Sequence, residues 1–266
     1  MIYSISMFFN ETDLLDLKIK EESPYVDKIL IMEAAITHSG NLKPCNFPID
    51  KYKDNKKVKH VFIKPEAFID CPGRWDKEER QRNLAMSHLE VTDDDILIVT
   101  DVDEIINGEN IEKIIIETRK HGIVRIGMRL FYYHINVIQP NFQWPHAYAA
   151  TGKKCKESSL SFLRTGPDRN NGVFHTKFVY IPNCGNHFAW IGGTKKIEEK
   201  INNFAHEEFD TPEIKADIKK RFENLEDIVG RPWMEALTII DIDELHPKTI
   251  RENMPEWAKY IRNKEM

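Results

Sequence analysis

Asp101-Val102-Asp103-Glu104 sets three carboxylates within four residues, directly after the apolar run Ile96-Leu97-Ile98-Val99. Two acids one residue apart can share a hard divalent cation. Mg²⁺ typically takes one or two carboxylates and completes its shell with phosphate oxygens and water. The run before them has the length of a fully buried strand. In an open α/β sheet, ligands bind just beyond the carboxyl ends of the strands. A strand followed by Asp-x-Asp is therefore a place to hold a metal against a diphosphate. Taken alone, such acids are more often solvated loop residues, so the surroundings decide.

Several other residues could join them. Glu33 ends a second apolar run, 26–32, before Thr37-His38-Ser39-Gly40, which reads as a nucleotide-contacting loop or a plain turn. Arg74, Arg80 and Arg82 precede the acidic strand, and guanidinium groups suit a diphosphate; Arg82 is the foremost of the three. His187 and His206 could each supply a third metal ligand. His187 lies in Gly185-Asn186-His187-Phe188-Ala189-Trp190-Ile191-Gly192-Gly193, where glycines, a ring nitrogen and aromatics mark a ligand-facing loop. His206-Glu207-Glu208 offers a ligand, a base or an exposed helix end. Asp241-Ile242-Asp243-Glu244 repeats the central motif but lacks an arginine helix, and it is read as a decoy. Tyr132, Tyr133 and Trp144 fit a core better than a sugar-stacking wall.

The elements that must position these groups follow from periodicity and caps. Strands are expected over 2–7, 26–32, 58–63 and 96–99. Helices are expected from Asn10 or Thr12 to Lys20, over 75–89, and over 109–120. This alternation predicts an α/β fold, a Rossmann-like mostly parallel sheet flanked by helices. After His121-Gly122 a long β-prone run spans 123–137. Turn formers then crowd residues 138–186, among them Pro140, Pro145, Gly152, Gly166, Pro167, Gly172 and Pro182. This half is expected to lie over the first as a strand-and-loop layer. Helices return over 194–204 and 211–228, the second with Pro212 in its first turn. One domain is expected, with 1–122 as one half and 123–266 as the other.

Composition narrows the class. Of 266 residues, 41% are hydrophobic and 30% charged, an ordinary globular balance. A net charge of -5 gives no bulk electrostatic case for nucleic acid or an anionic membrane. Four cysteines without a Cys-x-x-Cys pair read as free thiols in a reducing compartment, against a zinc site. No apolar run approaches the roughly 20 residues of a membrane span, and the amino terminus lacks a basic leader. A cytoplasmic protein is expected.

An ordered set of short motifs resembles glycosyltransferase family 17 over most of residues 1–210. The set comprises Phe9-Asn10-Glu11 with Asp13-Leu14-Leu15, Glu33-Ala34 with Thr37-His38-Ser39-Gly40, Lys43-Pro44 and Phe47, Asp101-Val102-Asp103-Glu104-Ile105, Met128-Arg129, and Gly185-x-His187 with Trp190. The resemblance implies a GT-A type fold with a nucleotide-sugar half and an acceptor half. It implies inverting transfer of a sugar, N-acetylglucosamine, from a UDP-sugar to a carbohydrate or other hydroxyl acceptor, assisted by Mn²⁺ or Mg²⁺. On that reading Asp101, Asp103 and His187 hold the metal. Phe9, Asn10, Glu11, Glu33, Thr37, Arg82, Asp101 and Arg129 bind the donor. Asn186 stands where the family commonly has Trp. Inversion needs a carboxylate to take the acceptor proton; Glu104, Glu207 and Glu208 are candidates, and Glu207 is favoured because the second half should build the acceptor side. Two other readings stay open: a non-catalytic nucleotide-sugar-binding protein of this fold, and a haloacid-dehalogenase-like phosphatase. The latter wants Thr or Val two residues past the second Asp, where Ile105 stands.

Overall fold

The structure is a computed structural model that describes residues 1–166, 178–232 and 234–264. Pro167 and Gly172, expected as turn formers, lie outside the described residues. The strands are β1 Ile2–Phe8, β2 Lys28–Ala34, β3 Val58–Ile63, β4 Ile96–Asp101, β5 Glu104–Ile106, β6 Ile123–Tyr132, β7 Val137–Trp144, β8 Tyr148–Thr151, β9 Val179–Ala189 and β10 Thr238–Ile239. The helices that position the site are α1 Thr12–Glu22, α2 Arg74–Asn83, α3 Ile111–His121, α4 Leu160–Thr165, α5 Thr194–Asn203 and α6 Pro212–Asn224.

The sheet runs β10-β7-β6-β8-β4-β1-β2-β3. Its β4-β1-β2-β3 half is parallel, as the alternation of strands and helices requires. The buried runs explain why. Alternate residues of one strand face opposite sides of a sheet. Ile96 and Ile98 of β4 enter one apolar cluster with Leu15, Ile19, Ile111 and Ile114 of α1 and α3. Leu97 and Val99 enter another with Ala85, on the face that α2 approaches. Both faces are covered, so the strand reads as continuous hydrophobe.

The second half does not lie over the first. It extends the same sheet edge to edge, because β8 pairs antiparallel with both β4 and β6. The long run expected over 123–137 breaks after Tyr132. Tyr133 takes a left-handed φ of 63°, and the chain reverses into β7. The expected helix over 211–228 stops earlier, where Leu225 adopts φ 56°. Among the described residues, no helix is long and apolar enough to cross a membrane.

The strand β9 pairs parallel with β6 and antiparallel with β5. Gly185 permits the approach to β5, since a Cβ there would sit 2.3 Å from the Ile105 carbonyl oxygen. Alternation along this strand separates two faces. Leu130, Tyr132, His187 and Ala189 share the face that carries α5 and the cleft. Arg129 and Asn186 share the other.

On that other face, Arg129 donates to Asp243 (2.8 Å), to Asn186 (3.1 Å) and toward His246 Nδ1 (3.1 Å). Asn186 also donates to Asn107 and to the Leu245 carbonyl. Asp243 of the second Asp-x-Asp is thus a structural anchor that fastens the carboxyl-terminal segment to β6. Removing the cation strands the buried Asn186 oxygen and leaves the partly exposed Asp243 carboxylate without its main counter-ion. Arg129→Met is expected to lower unfolding free energy by about 3 kcal/mol, read from urea titration. A change below about 0.5 kcal/mol would refute the anchoring role.

Candidate active site

The strand β4 ends at Asp101, and the chain turns through Val102 and Asp103 into β5. Main-chain bonds clamp the turn from both sides: Val102 N–H donates to the Met7 carbonyl (3.1 Å) and Phe188 N–H to the Asp103 carbonyl (2.8 Å). From α1, the fully buried Lys18 donates to the Glu104 carbonyl (2.9 Å) and to Glu22 (2.8 Å). Glu22 in turn accepts from Ser4 of β1. The acidic turn is therefore tied to three elements before any side chain of its own is counted.

Glu104 is wholly buried, and four donors reach its carboxylate. The Arg164 guanidinium donates to both oxygens (3.0 and 2.6 Å). The Trp144 indole donates to Oε1 (2.6 Å), and the Asp101 amide to Oε2 (2.8 Å). Burial alone would raise its pKa; the charge and hydrogen bonds of Arg164 outweigh this and hold it down at about 2. The geometry makes Glu104 a keystone and unsuits it as a base: its oxygens are taken and its proton affinity is low. Asp101 is held by Arg164 on Oδ2 (2.7 Å) and by Arg82 on Oδ1 (3.1 Å). The same Arg82 nitrogen donates to Glu78 (3.0 Å).

Asp103 faces a different partner set. Lys200 of α5 donates to its Oδ2 at 2.7 Å, and His187 Nε2 lies 3.6 Å from the same oxygen. Burial would raise the Asp103 pKa, but Lys200 and then His187 drive it far below the usual carboxylate range. His187 arrives here because β9 pairs it opposite Glu104. Its Nδ1 is buried without a hydrogen-bond partner among the described residues. Lys200 arrives because Gly192 and Gly193, at φ 111° and 82°, turn the chain into α5.

These groups border a cleft of about 700 Å³ at the carboxyl ends of the parallel strands. Of the residues expected from sequence, Phe9, Glu11, Thr37, Arg82, Asp101, Asp103 and His187 line it. Asn10 borders a smaller recess of about 100 Å³ beside it, with Lys196 and Lys200. Four others sit elsewhere. Arg129 belongs to the opposite face of β6, and Glu104 lies beneath the floor. Glu207 is 73% exposed outside the cleft lining, 4.0 Å from Arg74. Glu33 falls inside β2 rather than beyond it, because the strand runs two residues further than expected. Its buried carboxylate accepts from Asn46 N–H (2.6 Å), Phe47 N–H (3.2 Å), Lys43 and His60 (2.9 Å). With Cys45 and His60 it forms a trio of metal-capable atoms within 4.8 Å, but the Lys43 ammonium already balances its charge.

Sequence reading missed Arg164, Lys200, Glu78 and, of the aromatic wall, Trp75, Phe204 and Phe209; Trp190, marked with the ligand-facing loop, completes that wall. The paired glycines before α5 are the one local signal that pointed toward Lys200. Arg164 carried none, since α4 is a short helix in a turn-rich stretch. Trp144, expected in the core, both lines the cleft and holds Glu104.

A carboxylate whose pKa is depressed in the folded state contributes stability above its unfolded pKa and loses it as pH falls through the folded value. For Glu104 that window runs from 4.5 down to about 2, and Glu78 shares it. The protein is expected to lose stability progressively across this range. Glu104→Gln should be less stable than wild type at neutral pH and show a shallower acid loss. Equal slopes in the two proteins, by denaturant titration at stepped pH, would contradict the assignment.

No curated protein matches the chain. Among solved structures, it is similar to 2-C-methyl-D-erythritol 4-phosphate cytidylyltransferase of Francisella tularensis: 13% identity, TM-score 0.40, 74% of this chain and 97% of that one. It is similar to S. aureus TarS at 14% identity and TM-score 0.41, covering 84% and 43%. A third similarity is to glucosyl-3-phosphoglycerate synthase from Mycobacterium tuberculosis, solved with Mn²⁺, UDP and phosphoglyceric acid, at 17% identity, TM-score 0.35, 57% and 56%. The family model described as glycosyltransferase family 17 matches residues 1–160, which include β1 to β4, the acidic turn and Arg82. This chain belongs to glycosyltransferase family 17.

Proposed function

We propose that this glycosyltransferase moves a sugar, N-acetylglucosamine, from a UDP-sugar to a hydroxyl of a carbohydrate acceptor with inversion, on a GT-A type fold. The observation that carries the reading is the convergence of Asp103, His187, Arg82 and Arg164 on one cleft beyond the parallel strands. The uridine end belongs with Phe9, Glu11 and Thr37, at the ends of β1 and β2. The acceptor end belongs with the aromatic wall that the second half contributes.

A divalent cation fits Asp103 and His187. They offer a hard oxygen and an imidazole nitrogen 3.6 Å apart on the cleft side, and Mg²⁺ or Mn²⁺ needs only one or two protein carboxylates beside a diphosphate. Asp101 fits poorly as a direct ligand, because two arginines hold both its oxygens. Its role is to fix those guanidiniums at the diphosphate end. A bound cation supplies positive charge against the leaving UDP. Arg82 and Arg164 add further positive charge at the same end, preset by their carboxylate partners. The aromatic wall excludes water from the reacting carbon.

The base must then come from the acceptor side. Of the three glutamates weighed from sequence, Glu208 is the one that lines the cleft. Its Oε1 lies 2.7 Å from His206 Nδ1, which orients the carboxylate. Glu208 replaces Glu207 in this role.

Turnover and UDP binding test the reading. Asp103→Asn should fold, bind acceptor and lose turnover with a panel of UDP-sugars; full activity in excess EDTA would contradict the metal. Glu208→Gln is expected to lose roughly a hundredfold in kcat with UDP affinity unchanged, while Glu207→Gln stays near wild type. UDP-dependent thermal stabilisation without UDP release from any donor would favour a binding protein instead.

A further inference from the structure

Lys200 is held in place by its neighbours on α5. Ile197 and Ile201 are fully buried and pack into the cluster of Leu130, Tyr132 and Ala189. The ammonium reaches Asp103 Oδ2 at 2.7 Å, on the oxygen that faces His187. It also lies 5.5 Å from the centre of the Trp190 ring. The Lys200 side chain is 29% exposed and borders both the cleft and the smaller recess beside Glu11. A cation thus already sits where Asp103 and His187 could share a metal.

We propose that Lys200 is a resident cation competing with the divalent metal for Asp103, and that an arriving nucleotide diphosphate draws its ammonium away. This rests on the reading of Asp103 and His187 as the metal pair. A metal bonded to a carboxylate oxygen and an ammonium bonded to the same oxygen repel each other strongly in a site with little water. Metal binding alone must push the ammonium off its main counter-ion. A diphosphate brings a new counter-ion for it, so nucleotide and metal bind better together than either does alone. The coupling is reciprocal by linkage. Lys200 is a positioning residue in this scheme: it keeps the empty site neutral and prevents the metal from binding without its substrate.

The test measures Mn²⁺ affinity from the EPR signal of free Mn²⁺, with and without UDP, in the wild type and in Lys200→Met. Methionine keeps an unbranched stem and removes the charge. Lys200→Gln provides a second neutral variant should the first fold poorly, and Lys200→Arg keeps the charge. The neutral variants are expected to bind Mn²⁺ about tenfold or more tightly than wild type in the absence of UDP. The extra affinity that UDP confers should shrink by the same factor, and Lys200→Arg should behave as wild type. Unchanged Mn²⁺ affinity in folded neutral variants, with wild type still binding Mn²⁺ and UDP together, overturns the competition but leaves the metal pair standing. A wild type that binds no Mn²⁺ even with UDP overturns both.

Discussion

A carboxylate with no water around it must find all its partners in the protein. Glu104 sets that demand, and the site is the solution. Its two oxygens draw in a guanidinium from α4, an indole from β7 and the amide of Asp101, three residues back. The last of these closes the acidic turn on itself, so the directions of Asp101 and Asp103 are fixed from beneath. Arg164 passes the constraint on, because one of its nitrogens also holds Asp101. Removing Glu104 would leave a buried arginine and an unpaired indole N–H in the floor of the cleft. Such losses usually exceed what the interactions themselves contribute.

Charge balance around the turn follows from the same demand. Glu78, Asp101, Asp103 and Glu104 face Arg82, Arg164 and Lys200, with His187 as an eighth member. Each cation comes from a separate helix: α2, α4 and α5. The acidic strand therefore gathers elements that are distant in sequence, and an ion network joins the two halves of the chain at the cleft, beside the apolar clusters that both halves share. Two guanidiniums hold Asp101 and one ammonium holds Asp103, so an arriving cation has fewer charges to displace at Asp103 than at Asp101.

The legible part of this arrangement was the part written in local pattern. A four-residue apolar run ending in acids announced β4 and its turn, and strand–helix alternation announced the parallel half. Arg82 was legible because it sits on a helix adjoining that strand. Arg164 and Lys200 were not, because their roles depend on which strands pair. Nothing near Arg164 says that β8 inserts between β4 and β6 and brings α4 under the acidic turn. The family match stops at residue 160, short of both cations. Glu207 and Glu208 are adjacent, alike in type and both exposed, yet of the two only Glu208 borders the cleft. Such differences of direction are set by tertiary contacts and leave no periodic trace.

The strand β9 shows why stability and function are hard to separate here. Its successive residues Asn186 and His187 point to opposite faces. Asn186 joins Arg129, Asn107 and the Leu245 carbonyl, while His187 joins Asp103. A one-residue slip of this strand would exchange the two, burying an imidazole in the anchor and placing an amide beside Asp103. The anchor with Asp243 and His246 therefore fixes more than the chain end. It sets the register that delivers His187 to the cleft. Asn186 needs no role in the cleft on this account, since its side chain lies on the opposite face. The second Asp-x-Asp, remote from the cleft, thus acts on the site through the pleat of one strand.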